Sequence, residues 1–132
     1  QHNMANHQVT HKWEKSGGSF NSVQEAIEAH LADSSATETT LTEHETWVAG
    51  QTDFTETKAL TSGGEPVSAG TAGNGYRLIR TFTEAKMSAH IAAEKAANAS
   101  YPVSPHEGNG WTVESKNINP ENGIEYPGDW ND

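Results

Sequence analysis

Residues 37–61, TETTLTEHETWVAGQTDFTETKALT, carry more information about the fold than any other stretch of this chain. With Gly50-Gln51 as a two-residue turn, the segment folds back on itself as a β-hairpin. Trp47 then faces Phe54, Leu41 faces Leu60 and Glu43 faces Lys58, all on one side, because strand side chains alternate with period two. Glycine at the first turn position suits the type II′ geometry that matches strand twist. A slip of one residue would separate all three pairs. The opposite face of this hairpin carries Thr40, Thr42, His44, Thr46, Thr55, Thr57 and Ala59. Such a threonine array suits a plain solvated strand, or an ordered polar platform for binding.

On the N-terminal side, residues 8–15 (QVTHKWEK) alternate with Val9, His11 and Trp13 on one side and read as a strand. Ser22 followed by Glu25 has the form of a capping box, and Val23, Ile27 and Leu31 recur at helical spacing, which predicts a helix over about 22–33. On the C-terminal side, residues 62–75 form a loop rich in glycine and small residues. Residues 76–82 (YRLIRTF) read as a strand. The segment after Thr83, EAKMSAHIAAEKAANA, is dominated by Ala, Glu and Lys and predicts a helix over about 84–98. Residues 10–32 and 79–97 each run strand into helix, which hints at pseudo-symmetry.

These elements predict an α+β fold: a small antiparallel sheet made of hairpin 37–61 and strands near 8–15 and 76–82, with two helices. Residues 1–4 read as a cloning remnant before Met4, residues 5–100 as a single α+β domain, and residues 101–132 as an extended, irregular arm rich in Pro and Gly. In that arm Trp111, Tyr126 and Trp130 are interface candidates, since large aromatic side chains are costly to leave in water. They can pack on their own sheet or on a neighbouring subunit.

The 132 residues carry a formal charge of −10, with eight Lys and Arg against eighteen Asp and Glu. This balance argues against nucleic acid, whose phosphates require basic neutralisation, and against an anionic membrane surface. Hydrophobic residues make up 33%, many of them alanine. Burial completed by a second subunit is therefore expected, and with it a homo-oligomer. There is no cysteine, which removes disulfides, thiolate zinc sites and thiol nucleophiles.

In the hairpin register Glu45 and Glu56 oppose one another. Two close carboxylates can share a proton, bind a cation or do acid/base work, but can equally form a solvated strip offset by Lys58. His44, Glu45 and Glu56 are the candidate ligand-binding residues. His7 and His11 have HxxxH spacing, but the segment reads as strand and no third ligand is placed, so no metal site is assigned. No phosphate-binding glycine motif and no nucleophile elbow occurs, and neither a catalytic residue nor a cofactor is assigned.

The expected role is a small non-enzymatic structural or interaction protein, homo-oligomeric, fitting a phage or environmental-microbe accessory protein of the cytoplasm or virion. The alternatives are a small-molecule-binding α+β dimer with its pocket between sheet and helices, whose ligand the sequence does not name, and an extracellular binding module using a threonine-rich strand face.

Overall fold

The computed structural model describes residues 7–34, 37–83, 92–93, 96 and 108–118. It is an α+β fold in which five strands form one antiparallel sheet of order β3-β2-β4-β1-β5, with helices on one face. The elements are β1 (His7–Lys15), α1 (Val23–Asp33), α2 (Leu41–Ala49), β2 (Phe54–Ser62), β3 (Glu65–Pro66), β4 (Gly75–Phe82) and β5 (Trp111–Ile118).

The two central strands follow directly from their period-two pattern. In β1, His7, Val9, His11 and Trp13 are buried while Gln8, Thr10 and Lys12 are half-buried. In β4, Tyr76, Leu78, Arg80 and Phe82 point to the same inner face. The strands pair antiparallel with Trp13 opposite Tyr76 and Val9 opposite Arg80. At Gly75 they approach so closely that a Cβ would sit 1.9 Å from the Trp13 carbonyl oxygen, so only glycine fits there.

Helix α1 starts where the capping pattern places it. Ser22 Oγ accepts from the Glu25 amide at 3.1 Å, and the Glu25 carboxylate accepts from the Asn21 amide at 2.8 Å. Ala26, Ile27, His30 and Leu31 are its buried stripe.

The hairpin over residues 37–61 does not form. Residues 41–49 are helix α2, and only the second half of the segment is a strand. The physical reason is the sequence Thr40-Leu41-Thr42-Glu43. Thr40 Oγ1 accepts from the Glu43 amide and the Glu43 carboxylate accepts from the Thr40 amide, both at 3.1 Å, completing a capping box. Gly50 is not a turn-opening residue but the helix C-cap, in right-handed conformation at φ −81. Trp47 and Phe54 still meet, with ring centroids 6.2 Å apart, because α2 packs back onto β2.

The C-terminal segment also departs from expectation, since residues 111–118 are strand β5 and not irregular arm. β5 pairs antiparallel with β1, placing Val113 opposite Trp13 and Ser115 opposite His11. The expected helix over 84–98 lies outside the described residues, save for helical Ala92, Ala93 and Ala96. Residues 101–107 and 119–132 of the arm lie outside them too.

Among the four long strands, β1 and β2 run parallel with β4 between them, and β4 and β5 run parallel with β1 between them. These are two interlocked split β-crossover-β units. β1 and β4 form the central antiparallel pair; the helical half of the second strand-into-helix run read from the sequence lies largely outside the described residues.

The core is aromatic. Trp13, Tyr76 and Trp111 pack with Ile27, Leu31 and Leu78 beneath α1, and Val9, Phe54 and Phe82 form a second cluster with Trp47, Val48 and Ala93. Each large ring removes enough surface from water to contribute about 4–6 kcal/mol before entropy, an upper value because the unfolded chain already hides part of it.

Candidate functional site

The inner face of the sheet carries an unusual load of polar groups. His7, His11, His30, His44 and Arg80 are all buried. Each stands at a position that secondary-structure period assigns to the core, so the fold must accommodate their polarity.

The most concentrated of these groups lies where α2 meets β2 and β4. Register sets Glu56 opposite Arg80. The Glu56 side chain is 2% exposed, and its two oxygens are divided between two donors: His44 Nε2 at 2.7 Å and Arg80 Nε at 3.1 Å. The Arg80 guanidinium rests over the rings of Trp47, 5.4 Å away, and Phe54, 4.9 Å away. Burial pushes the Glu56 carboxyl upward. The hydrogen bond and charge of His44, with the charge and hydrogen bond of Arg80, outweigh that effect and hold it below the ordinary carboxylate range. Glu56 is therefore an ionised carboxylate inside the protein, paired with an arginine that lies over two aromatic rings.

Of the residues singled out from sequence, His44 and Glu56 are brought together and Glu45 is not. Glu45 lies on the outward side of α2, half exposed, and pairs with Lys58 at 2.6 Å. The proposed Glu45–Glu56 carboxylate dyad does not form, because α2 presents His44 to Glu56 and leaves Glu45 beside Lys58. Arg80 was not among the expected site residues. Its signal was present in YRLIRTF, where period two puts Tyr76, Leu78, Arg80 and Phe82 on one face and so commits an arginine to the core.

A second polar cluster lies under α1. Asp33 Oδ2 accepts from Trp111 Nε1 at 2.8 Å and from Lys15 Nζ at 2.9 Å. These two hydrogen bonds, that from Lys15 first, hold the Asp33 carboxyl below its ordinary range. His30 Nδ1 shares a hydrogen bond with the Tyr76 hydroxyl, and His11 Nδ1 shares one with Ser115 Oγ at 2.7 Å. Trp111 is 2% exposed within its own chain, where it forms part of the core. Tyr126 and Trp130 lie outside the described residues.

These groups are chemically competent but enclosed. Clefts of about 170 and 250 Å³ lie at the β2–β3 turn and at the start of α1, and neither is lined by His44, Glu56 or Arg80. Proton transfer from His44 to a substrate would require α2 to lift away. Among the described residues no group of three His, Asp or Glu is placed to hold a metal ion, and no helix is long and apolar enough to cross a membrane.

The other face of the sheet is built differently. Thr55, Thr57 and Ala59 of β2, Arg77, Ile79 and Thr81 of β4, and Gln8, Thr10 and Lys12 of β1 alternate onto it, opposite to the buried residues. Register places Thr57, Ile79 and Thr10 side by side across its middle. Among the described residues no helix covers it. The threonine face expected of the hairpin does not form, since Thr40, Thr42, His44 and Thr46 belong to the cap and body of α2 and only Thr55, Thr57 and Ala59 lie on this sheet face. Compared with protein-family models, curated proteins and solved structures, the chain matches none.

Proposed function

We propose that this chain is a small non-enzymatic structural or interaction protein that works as a homo-oligomer. One observation carries the reading: the charged chemistry of the inner face is consumed inside the fold, with both Glu56 oxygens engaged by His44 and Arg80, while among the described residues no helix lies over the polar outer face. Groups arranged in this way stabilise a scaffold, and an open sheet face offers contact area. Sedimentation equilibrium over a hundredfold range of concentration tests the reading. A mass above that of the 14.2 kDa chain, rising with concentration, is the expected result. A monomeric mass throughout refutes it.

A second reading, a small-molecule site between sheet and helix, is favoured by the convergence of Arg80, Glu56 and His44 beside Trp47 and Phe54. A fragment screen read at the Trp47 indole resonance tests it, and a resonance that no fragment perturbs dismisses it.

A further inference from the structure

We propose that helix α2 is a flap that acid releases as a unit while α1 and the sheet stay folded. The trigger is the His44–Glu56–Arg80 bridge, whose central carboxylate ties a histidine of the flap to an arginine of the sheet.

Of the two helices, α2 is the less deeply seated. α1 buries Ala26, Ile27, His30 and Leu31. α2 buries His44 alone, while Leu41, Trp47 and Val48 are half-buried and its other residues are exposed. Elements with few buried apolar contacts open at a lower free energy than the whole fold.

Carboxylates fasten α2 to its neighbours. From α1, Glu28 Oε2 accepts from the Leu41 amide at 2.9 Å. From β2, Glu56 Oε1 meets His44 Nε2 at 2.7 Å, and Lys58 reaches Glu45 of α2 at 2.6 Å. From β4, Arg80 Nε lies 3.1 Å from the second Glu56 oxygen. At the start of α2 itself, Glu43 closes the capping box. The strands are joined differently, through main-chain hydrogen bonds that acid leaves in place.

Protonation weakens each of these ties, because an ionised acceptor makes the stronger hydrogen bond. Burial raises the Glu56 carboxyl, but His44 and Arg80 outweigh it and hold it below the ordinary range; the amides and hydroxyls of Thr39 and Thr40 hold Glu43 there too. Such groups support the fold above their unfolded value of about 4.3, and that support fades as pH falls through the folded value. At Glu56 more than a contact is lost. Histidine side chains are charged at that pH. A protonated Glu56 therefore leaves His44 on α2 and Arg80 on β4 as two buried cations beside one neutral carboxyl. Their repulsion is stronger in the protein interior than it would be in water. It displaces α2, since β4 is held between β1 and β2. Release carries the Trp47 ring away from the Arg80 guanidinium and from Phe54, which lie 5.4 and 6.2 Å from it. At neutral pH the bridge keeps α2 shut.

The test is a proton–nitrogen NMR titration of the full chain from about pH 7 to about pH 2.5. It reads the amides of residues 41–49 against those of α1, β1 and β4. The expected result is loss of the native α2 signals below about pH 4, with the others retained. Two variants test the trigger. In Glu56→Gln no carboxylate separates the cations, so release moves up by about two pH units, to where histidine gains its proton near pH 6.5. Adding His44→Gln removes one cation and should abolish that step. Loss of the α2 and β4 signals together, or native α2 signals that persist to the end of the titration, overturns the flap. A Glu56→Gln protein without the step near neutral pH, or a step that survives His44→Gln, overturns the trigger. Should neither variant fold, the wild-type titration still decides the flap.

Discussion

Replacing Glu56 by glutamine should be among the most damaging isosteric changes available to this chain. The substitution preserves shape and removes one charge. It leaves the Arg80 guanidinium, 0% exposed, without the carboxylate that faces it at 3.1 Å. Breaking one side of a buried pair typically costs about 3–5 kcal/mol, because the surviving charge keeps its desolvation penalty. Glutamine can still accept a hydrogen bond from Arg80 or His44, which places the expected loss near the lower end, about 3 kcal/mol. That is a large share of the roughly 5–15 kcal/mol that holds a typical domain together. For a chain of this size it corresponds to a fall in Tm of about 10–15 °C. Urea unfolding followed by tryptophan fluorescence measures it. The double variant Glu56→Leu/Arg80→Met should lose less than the sum of its single variants, because neither charge is then stranded. The pH dependence follows from the same pair. Folding lowers the Glu56 pKa, so its contribution is complete above the unfolded value of about 4.3 and fades as pH falls through the lower folded value. Glu56→Gln should lack that acid step. A loss below about 1 kcal/mol, or strict additivity in the double variant, would refute the view of Glu56 as a buried ionised partner.

Other outcomes follow from single contacts. Thr40→Ala removes the side chain that accepts from the Glu43 amide and should cost about 1 kcal/mol, with faster hydrogen exchange confined to α2; unchanged protection of residues 41–49 would count against the cap. Gly75→Ala drives a methyl group into the Trp13 carbonyl and should cost at least about 3 kcal/mol or prevent folding, and a variant melting within a few degrees of wild type would show that the strands can separate there. Asp33, held ionised by Lys15 and Trp111, should release the Trp111 indole only as pH falls below the ordinary carboxylate range. An acid shift in tryptophan emission, absent from Trp111→Phe, is the expected signature, and identical titrations of the two proteins would exclude it.

The sequence made β1, α1 and β4 legible because each obeys one unambiguous period and, for α1, a cap. Residues 41–49 were ambiguous. Leu41 and Trp47 are large apolar residues there, and a spacing of six puts them on one face of a strand but about 120° apart around a helix, so periodicity favoured the strand. Local capping decided between them: the Thr40/Glu43 box has the same form as Ser22/Glu25, which had already marked α1 correctly. Strand β5 was hidden by its neighbours. WTVESKNI alternates Trp111, Val113 and Ser115 against Thr112, Glu114 and Lys116, but it lies between prolines, glycines and asparagines whose turn signals dominate the segment. In the site, His44 and Glu56 were visible as residue types but not as partners, because their meeting depends on α2 folding back over β2. The Glu45–Glu56 pairing failed with the hairpin register from which it was drawn.

The polar core and the modest apolar content are two sides of one economy. Leucine, isoleucine and valine are scarce, so the volume beneath the helices is filled by indole, phenol, imidazole and guanidinium groups. Each brings a large apolar surface together with a polar atom that must be satisfied. The hydrogen bonds of Trp111 to Asp33, Tyr76 to His30, His11 to Ser115 and His44 to Glu56 are therefore conditions of the core and not additions to it. Such a network tolerates less rearrangement than an aliphatic core, because every displaced ring strands a donor or acceptor. A protein built in this way is poorly suited to open its helices for a substrate and well suited to hold one sheet face rigid. Such rigidity would serve the self-assembly proposed above, since none of the interaction surplus would then be lost to ordering the backbone.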